Sequence, residues 1–64
     1  MIRYYSCTGL IACTSRKETI SATKAFMLNL MRAGYTGLSI DIIRHDQSTG
    51  KTSKSKTLTD KDII

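Results

Sequence analysis

Between Thr19 and Ala33 the apolar side chains return with the period of a helix. At about 100° per residue, Ala22, Phe26, Leu30 and Ala33 fall on one side, and Ile20, Met27 and Met31 widen that arc. Lys17, Ser21, Lys24, Leu28 and Arg32 lie opposite. End signals bracket the pattern. Ser15-Arg16-Lys17-Glu18 has the form of a capping box, in which the serine hydroxyl accepts from the Glu18 backbone N–H and the glutamate reaches back. No proline or glycine interrupts Thr19 to Ala33, and Gly34 stands where a left-handed C-terminal cap belongs. The pattern predicts an amphipathic helix laid on an apolar surface.

That surface is expected to be a sheet. Leu38, Ile40 and Ile42 alternate with Ser39 and Asp41, the period of a strand with one buried face. Asp46-Gln47-Ser48-Thr49-Gly50-Lys51 reads as a type I turn closed by a left-handed glycine, and Thr52 to Leu58 forms the returning strand. With Asp46 facing Lys51, regular pairing sets Ile42 opposite Ser55 and Ile40 opposite Thr57 on the helix side. On the other side Asp41 meets Lys56 and Ile43 meets Lys54.

The N-terminal stretch "IRYYSCTGLIACT" is β-branched and aromatic enough to be strand. Either Thr8-Gly9 is a tight turn between two short strands, which sets Cys13 against Tyr4, or Gly9 is a bulge in one long strand. We expect the long bulged strand, because a type I′ turn favours Asn or Asp before the glycine and Thr is β-branched. Thr59-Asp60-Lys61-Asp62 repeats a capping signature with two residues behind it, too few for a helix to form unaided. Residues 59–64 are therefore expected to be a frayed tail or a segment awaiting a partner. The fold class that follows is α+β. It is one small domain over residues 1–58, with one amphipathic helix on a mostly antiparallel sheet of three strands, or four if Thr8-Gly9 turns. The order is strand, helix, strand, strand.

Composition sharpens this picture. A chain of 64 residues buries only about 60% of the surface its unfolded form exposes, so its stability margin is thin. Ten Lys and Arg against five Asp and Glu leave a formal charge of +5, which favours anionic partners. The longest apolar run near the start, Leu10 to Cys13, is far too short for a signal-peptide core or a membrane span. A cytoplasmic protein with no membrane contact is the expectation. Cys7 and Cys13 then stay reduced, and neither strand model brings them within bridging distance.

Several chemistries can be set aside. "STGKT", residues 48–52, carries the end of a phosphate-binding loop, but His45 stands where its first glycine is required, and strand-like residues follow in place of a helix. A metal site would draw on Cys7, Cys13 and His45, at spacings that match no zinc motif. Catalysis by His45 oriented by Asp41 would need a pocket that one helix on a small sheet does not build. No catalytic residue, cofactor or metal is therefore expected.

What remains is a cationic face. With Ile2 and Tyr4 turned to the helix, Arg3 and Tyr5 join His45, Lys54 and Lys56 on the open side of the sheet, with Arg44 and Lys51 nearby. These seven residues are the candidate contact set. Two functions fit them. The first is a small non-enzymatic regulatory or inhibitory protein that docks on a larger protein by its sheet face or edge strand, with a homodimer as one version. The alternative is a nucleic-acid-binding module in which the cations meet phosphate and Tyr5 stacks on a base. The chain's size and lack of catalytic residues are common among small regulatory proteins of phages and mobile elements, a compositional likeness that transfers nothing residue by residue.

Overall fold

The computed structural model of the protein describes residues 1–7, 12–13 and 15–63. In chain order the elements are β1 (Ile2–Ser6), β2 (Ala12–Cys13), α1 (Arg16–Arg32), β3 (Ser39–Asp46), β4 (Lys51–Thr59) and α2 (Asp60–Ile63). The strands form one antiparallel sheet in the order β2-β1-β3-β4, and α1 packs on one face of it. This is the expected α+β fold, with β2 as the fourth strand.

Helix α1 starts and stops on its local signals. Ser15, in an extended conformation at φ −107° and ψ 128°, caps the first turn by accepting from the Glu18 N–H at 3.3 Å. At the other end the Tyr35 N–H donates to the Leu30 carbonyl at 3.1 Å and the Gly34 N–H to Met31 at 3.0 Å, a Schellman closure. It requires the left-handed backbone that Gly34 adopts, φ 100°.

The buried stripe of α1 is Thr19, Thr23 and Met27, flanked by half-buried Ile20, Phe26, Leu30 and Met31. Ala22 and Ala33, expected on the inward side, are exposed. Two threonines thus take the middle of the apolar arc. Their hydroxyls are satisfied by the helix itself, Thr19 Oγ1 donating to the Ser15 carbonyl at 2.9 Å and Thr23 Oγ1 to the Thr19 carbonyl at 2.7 Å. The Thr19 hydroxyl also lies 3.5 Å from the Tyr4 carbonyl of β1, so both threonines bury with their polar atoms satisfied.

The core is small. Met27, Ile40, Ile42 and Leu58 are buried, and Tyr4, Ile20, Phe26, Leu38 and Ile63 pack against them. Each fully buried aliphatic side chain contributes about 1.5–3 kcal/mol. Few such residues are present, so each matters.

Three expectations are corrected. Residues 2–13 do not form one long bulged strand: β1 and β2 pair with Tyr4 opposite Cys13 and Tyr5 opposite Ala12. That is the register of the hairpin alternative; the turn or bulge assigned to Thr8-Gly9 lies outside the described residues. The physical reason is the length of β3. β1 already pairs with it from Ile2 opposite Asp46 to Ser6 opposite Ile42, so a single strand continuing to residue 13 would outrun it and leave backbone groups unpaired.

The second correction is a β-bulge. The β3–β4 ladder runs as expected from Asp46 opposite Lys51 to Ile43 opposite Lys54, then shifts by one, so that Ile42 faces Lys56, Asp41 faces Thr57 and Ile40 faces Leu58. Ser55 is the extra residue. Were Ser55 paired in a regular ladder, Leu58, the one large apolar side chain of β4, would face Ser39 and project from the open face; with Ser55 bulged out, Leu58 meets Ile40 in the core.

Third, the C-terminal segment is a helical turn, α2. Thr59 heads it, its N–H donating to Asp62 Oδ2 at 2.7 Å, which is the reciprocal half of a capping box. Asp60 accepts from the Gly37 and Leu38 N–H groups at 2.8 and 2.9 Å, and Ile63 packs on the core. Tertiary contacts supply what the segment lacks in length.

Candidate functional site

The face of the sheet away from α1 is built in rows across three strands. Arg3, His45 and Thr52 make one row, and Tyr5, Ile43 and Lys54 the next, with Asp41 and Thr57 beyond. Alternation puts these side chains together, because Ser6, Ile40 and Ile42, their neighbours in sequence, are buried toward the helix. Arg3, Tyr5, Ile43 and His45 are half-buried. Asp41 accepts from Thr57 Oγ1 at 2.6 Å and pairs with Lys54 Nζ at 3.7 Å. The Lys54 side chain is 62% exposed, so the pair contributes at most about 1 kcal/mol.

Of the seven candidate residues, the open face therefore gathers Arg3, Tyr5, His45 and Lys54. Arg44 projects on the opposite side, since it shares the parity of Ile40 and Ile42, and so does Lys51, which faces Asp46 of that same set. Lys56, expected on the open face, also lies on the helix side: the bulge sets both Ser55 and Lys56 beside Ile42. Asp41 neutralises part of what charge the open face keeps. The cations are divided between two surfaces.

The helix side of β4 gains what the open face loses. Arg16, the first residue of α1, donates from Nε to Ser55 Oγ at 2.9 Å, which holds its guanidinium against the middle of the strand. Lys56 lies near Asp62, together with Lys24 from the next turns of α1. Asp62 titrates below the ordinary aspartate value, first because the Thr59 backbone N–H donates to it; partial desolvation opposes this, and the Thr59 hydroxyl, Lys56 and Lys24 add to it.

β4 is also the edge of the sheet. It pairs with β3 on one side, and no strand of the described residues pairs with the other. Between its ends, where the Lys51 N–H donates to Thr49 Oγ1 and the Thr59 N–H to Asp62 Oδ2, β4 thus presents a row of outward backbone groups, and its first four residues are exposed. Sequence reasoning placed the free edge at residues 52–58 but missed Arg16 and Lys24. One signal was present. In a regular ladder counted from Asp46 and Lys51, Leu58 falls on the open face among the lysines, a conflict of pattern that a bulge resolves.

The phosphate-loop remnant is the β3–β4 turn. Gly50, at φ 73°, donates its N–H to the Asp46 carbonyl at 2.8 Å, and the Ser48 N–H donates to Asp46 Oδ1 at 2.9 Å. Lys51 opens a strand, so no helix N-terminus faces that loop. Among the described residues no group of His, Cys, Asp and Glu is arranged to hold a metal, and no helix is long and apolar enough to cross a membrane. No protein-family model matches the chain, and no curated protein or solved structure matches it either.

Proposed function

We propose that this chain is a small non-enzymatic regulatory protein that docks on a larger protein through the free edge of β4. The observation that carries this is a nine-residue strand that pairs with β3 on one side and with no strand of the described residues on the other. A free edge of that length is a template for strand addition, in which main-chain hydrogen bonds give affinity and alternate side chains give specificity. Cys7 carries an exposed free thiol, which fits a reducing compartment such as the cytoplasm. Docking of nucleic acid on the open face has less support, because Asp41 engages Lys54 there and Arg44, Lys51 and Lys56 lie elsewhere.

Capture from nuclease-treated extract with two proline variants tests the edge. N–H groups of adjacent strand residues point to opposite sides, so of Ser53→Pro and Lys54→Pro one removes a ladder bond to β3 and the other an outward donor. The variant that keeps the wild-type melting temperature should lose the captured protein. Retention of the same protein by that variant would sink edge docking, and a ligand that vanishes on nuclease treatment would favour nucleic acid.

A further inference from the structure

We propose that the segment β4 accepts is an extended acidic peptide strand, whose carboxylates align with a cationic ridge formed by Arg16, Lys24, Lys51 and Lys56 on the helix side of that edge. This rests on the edge docking proposed above and adds the chemistry of the partner.

The ridge is a product of tertiary structure. β4 carries three lysines and no carboxylate over Lys51–Thr59. The bulge turns Lys56 to the helix side, where Lys51 also lies, and α1 delivers Arg16 to the strand between them through its bond to Ser55. Among the described residues Lys54 has a carboxylate within ion-pair distance, and Arg16, Lys24, Lys51 and Lys56 have none. Asp62, near Lys56 and Lys24, is engaged by the Thr59 N–H and hydroxyl, and Asp46, opposite Lys51, accepts from the Ser48 N–H. A strand added beside β4 would run along these four cations while pairing with its backbone.

Two other occupants fit less well. A second copy of the chain, paired antiparallel along β4, would bring three lysines from each protomer to one seam with no carboxylate on either strand, and like charges across a ladder destabilise it. A single nucleic-acid strand would find phosphate partners but not the half-buried ring of Tyr5, which lies on the other face of the sheet. It would also leave the backbone edge of β4 unpaired. An acidic peptide satisfies both the edge and the charge.

The test uses the full chain, isotopically labelled, titrated with two peptides the length of β4. One alternates glutamate with threonine and the other glutamine with threonine. Amide exchange is followed along β4, and affinity is measured at low and moderate salt. The glutamate peptide should protect alternate amides of Lys51–Thr59 and bind at least about tenfold tighter than its glutamine isostere, an advantage that shrinks as salt screens it. The double variant Lys51→Gln, Lys56→Gln should bring its affinity close to that of the isostere. Equal protection by both peptides would overturn the acidic chemistry and leave edge docking standing. No protection of β4 by either would overturn both. An oligothymidylate that binds as tightly as the glutamate peptide, without protecting β4 amides, would make the ridge a phosphate surface and overturn the peptide proposal.

Discussion

The β3–β4 hairpin is two ladders that obey different constraints. Near the turn, from Asp46–Lys51 to Ile43–Lys54, the pairing follows from the reversal itself: Asp46 receives the Gly50 and Ser48 N–H groups, and the strands run on regularly from there. Beyond Ser55 the pairing answers to the core, because Leu58 must reach Ile40 and Met27. Local turn chemistry and distant burial ask for registers one residue apart. The bulge lets both be met, and it is also what separates Lys56 from Lys54 and divides the cations between two faces of the molecule.

The two halves of the hairpin differ most at Leu58. Leu58→Ala should cost about 2–5 kcal/mol, against a total of roughly 3–10 kcal/mol for a domain of this size, while Ser53→Ala in the near half should change stability by less than about 0.5 kcal/mol. Denaturant unfolding of the two variants measures this, and equal effects would show that the far half is not anchored by burial. Changing strand length probes the bulge itself. Deleting Ser55 leaves a regular ladder with Leu58 still opposite Ile40, so it should be tolerated within about 1 kcal/mol. Inserting one serine after Ser55 demands two extra residues or expels Leu58, and should cost about 2 kcal/mol or more. A deletion more damaging than the insertion would refute this account of the register.

A smaller effect belongs to the near half. Gly50→Ala places a side chain at φ 73°, where open space gives no steric clash but the backbone is strained; a loss of about 1 kcal/mol is expected by thermal melting, with the far-half exchange protection unchanged. The smallest concerns α2, which closes the far end. Asp62 titrates lower in the folded chain than in the unfolded one, so its contribution is complete above the ordinary aspartate range. It fades as the pH falls through that range and then through the lowered folded value. Amide exchange at Thr59 on acidification should rise before that of Ile42, and Asp62→Asn should flatten the difference.

Most of what local chemistry controls was legible in the chain. Ser15, Gly34 and Gly50 each mark an end or a turn by satisfying or freeing backbone groups within a few residues, and the structure uses all three in that way. The helix was legible as an arc but not in its orientation, because Thr19 and Thr23 count as polar until their hydroxyls turn back to the helix carbonyls. The candidate set was legible in composition and not in grouping. Arg3, Tyr5, His45 and Lys54 share a face as alternation implies, whereas Lys56 joins Arg16, from a different element 40 positions away, through a shift marked in the sequence only by the misplaced Leu58 of a regular ladder.

The sequence by itself therefore determined α1, β3 and β4, with their caps and turn, and the α+β class, since each depends on backbone groups and side chains close together in the chain. Tertiary structure decided the pairing of β2 against β1, the bulge at Ser55, the docking of α2 and the placement of the β4 lysines. Those outcomes come from burying a few apolar side chains and pairing every strand against a neighbour of limited length. Burial and pairing of that kind are properties of the assembled sheet, and the edge along which this protein is proposed to act is one of them.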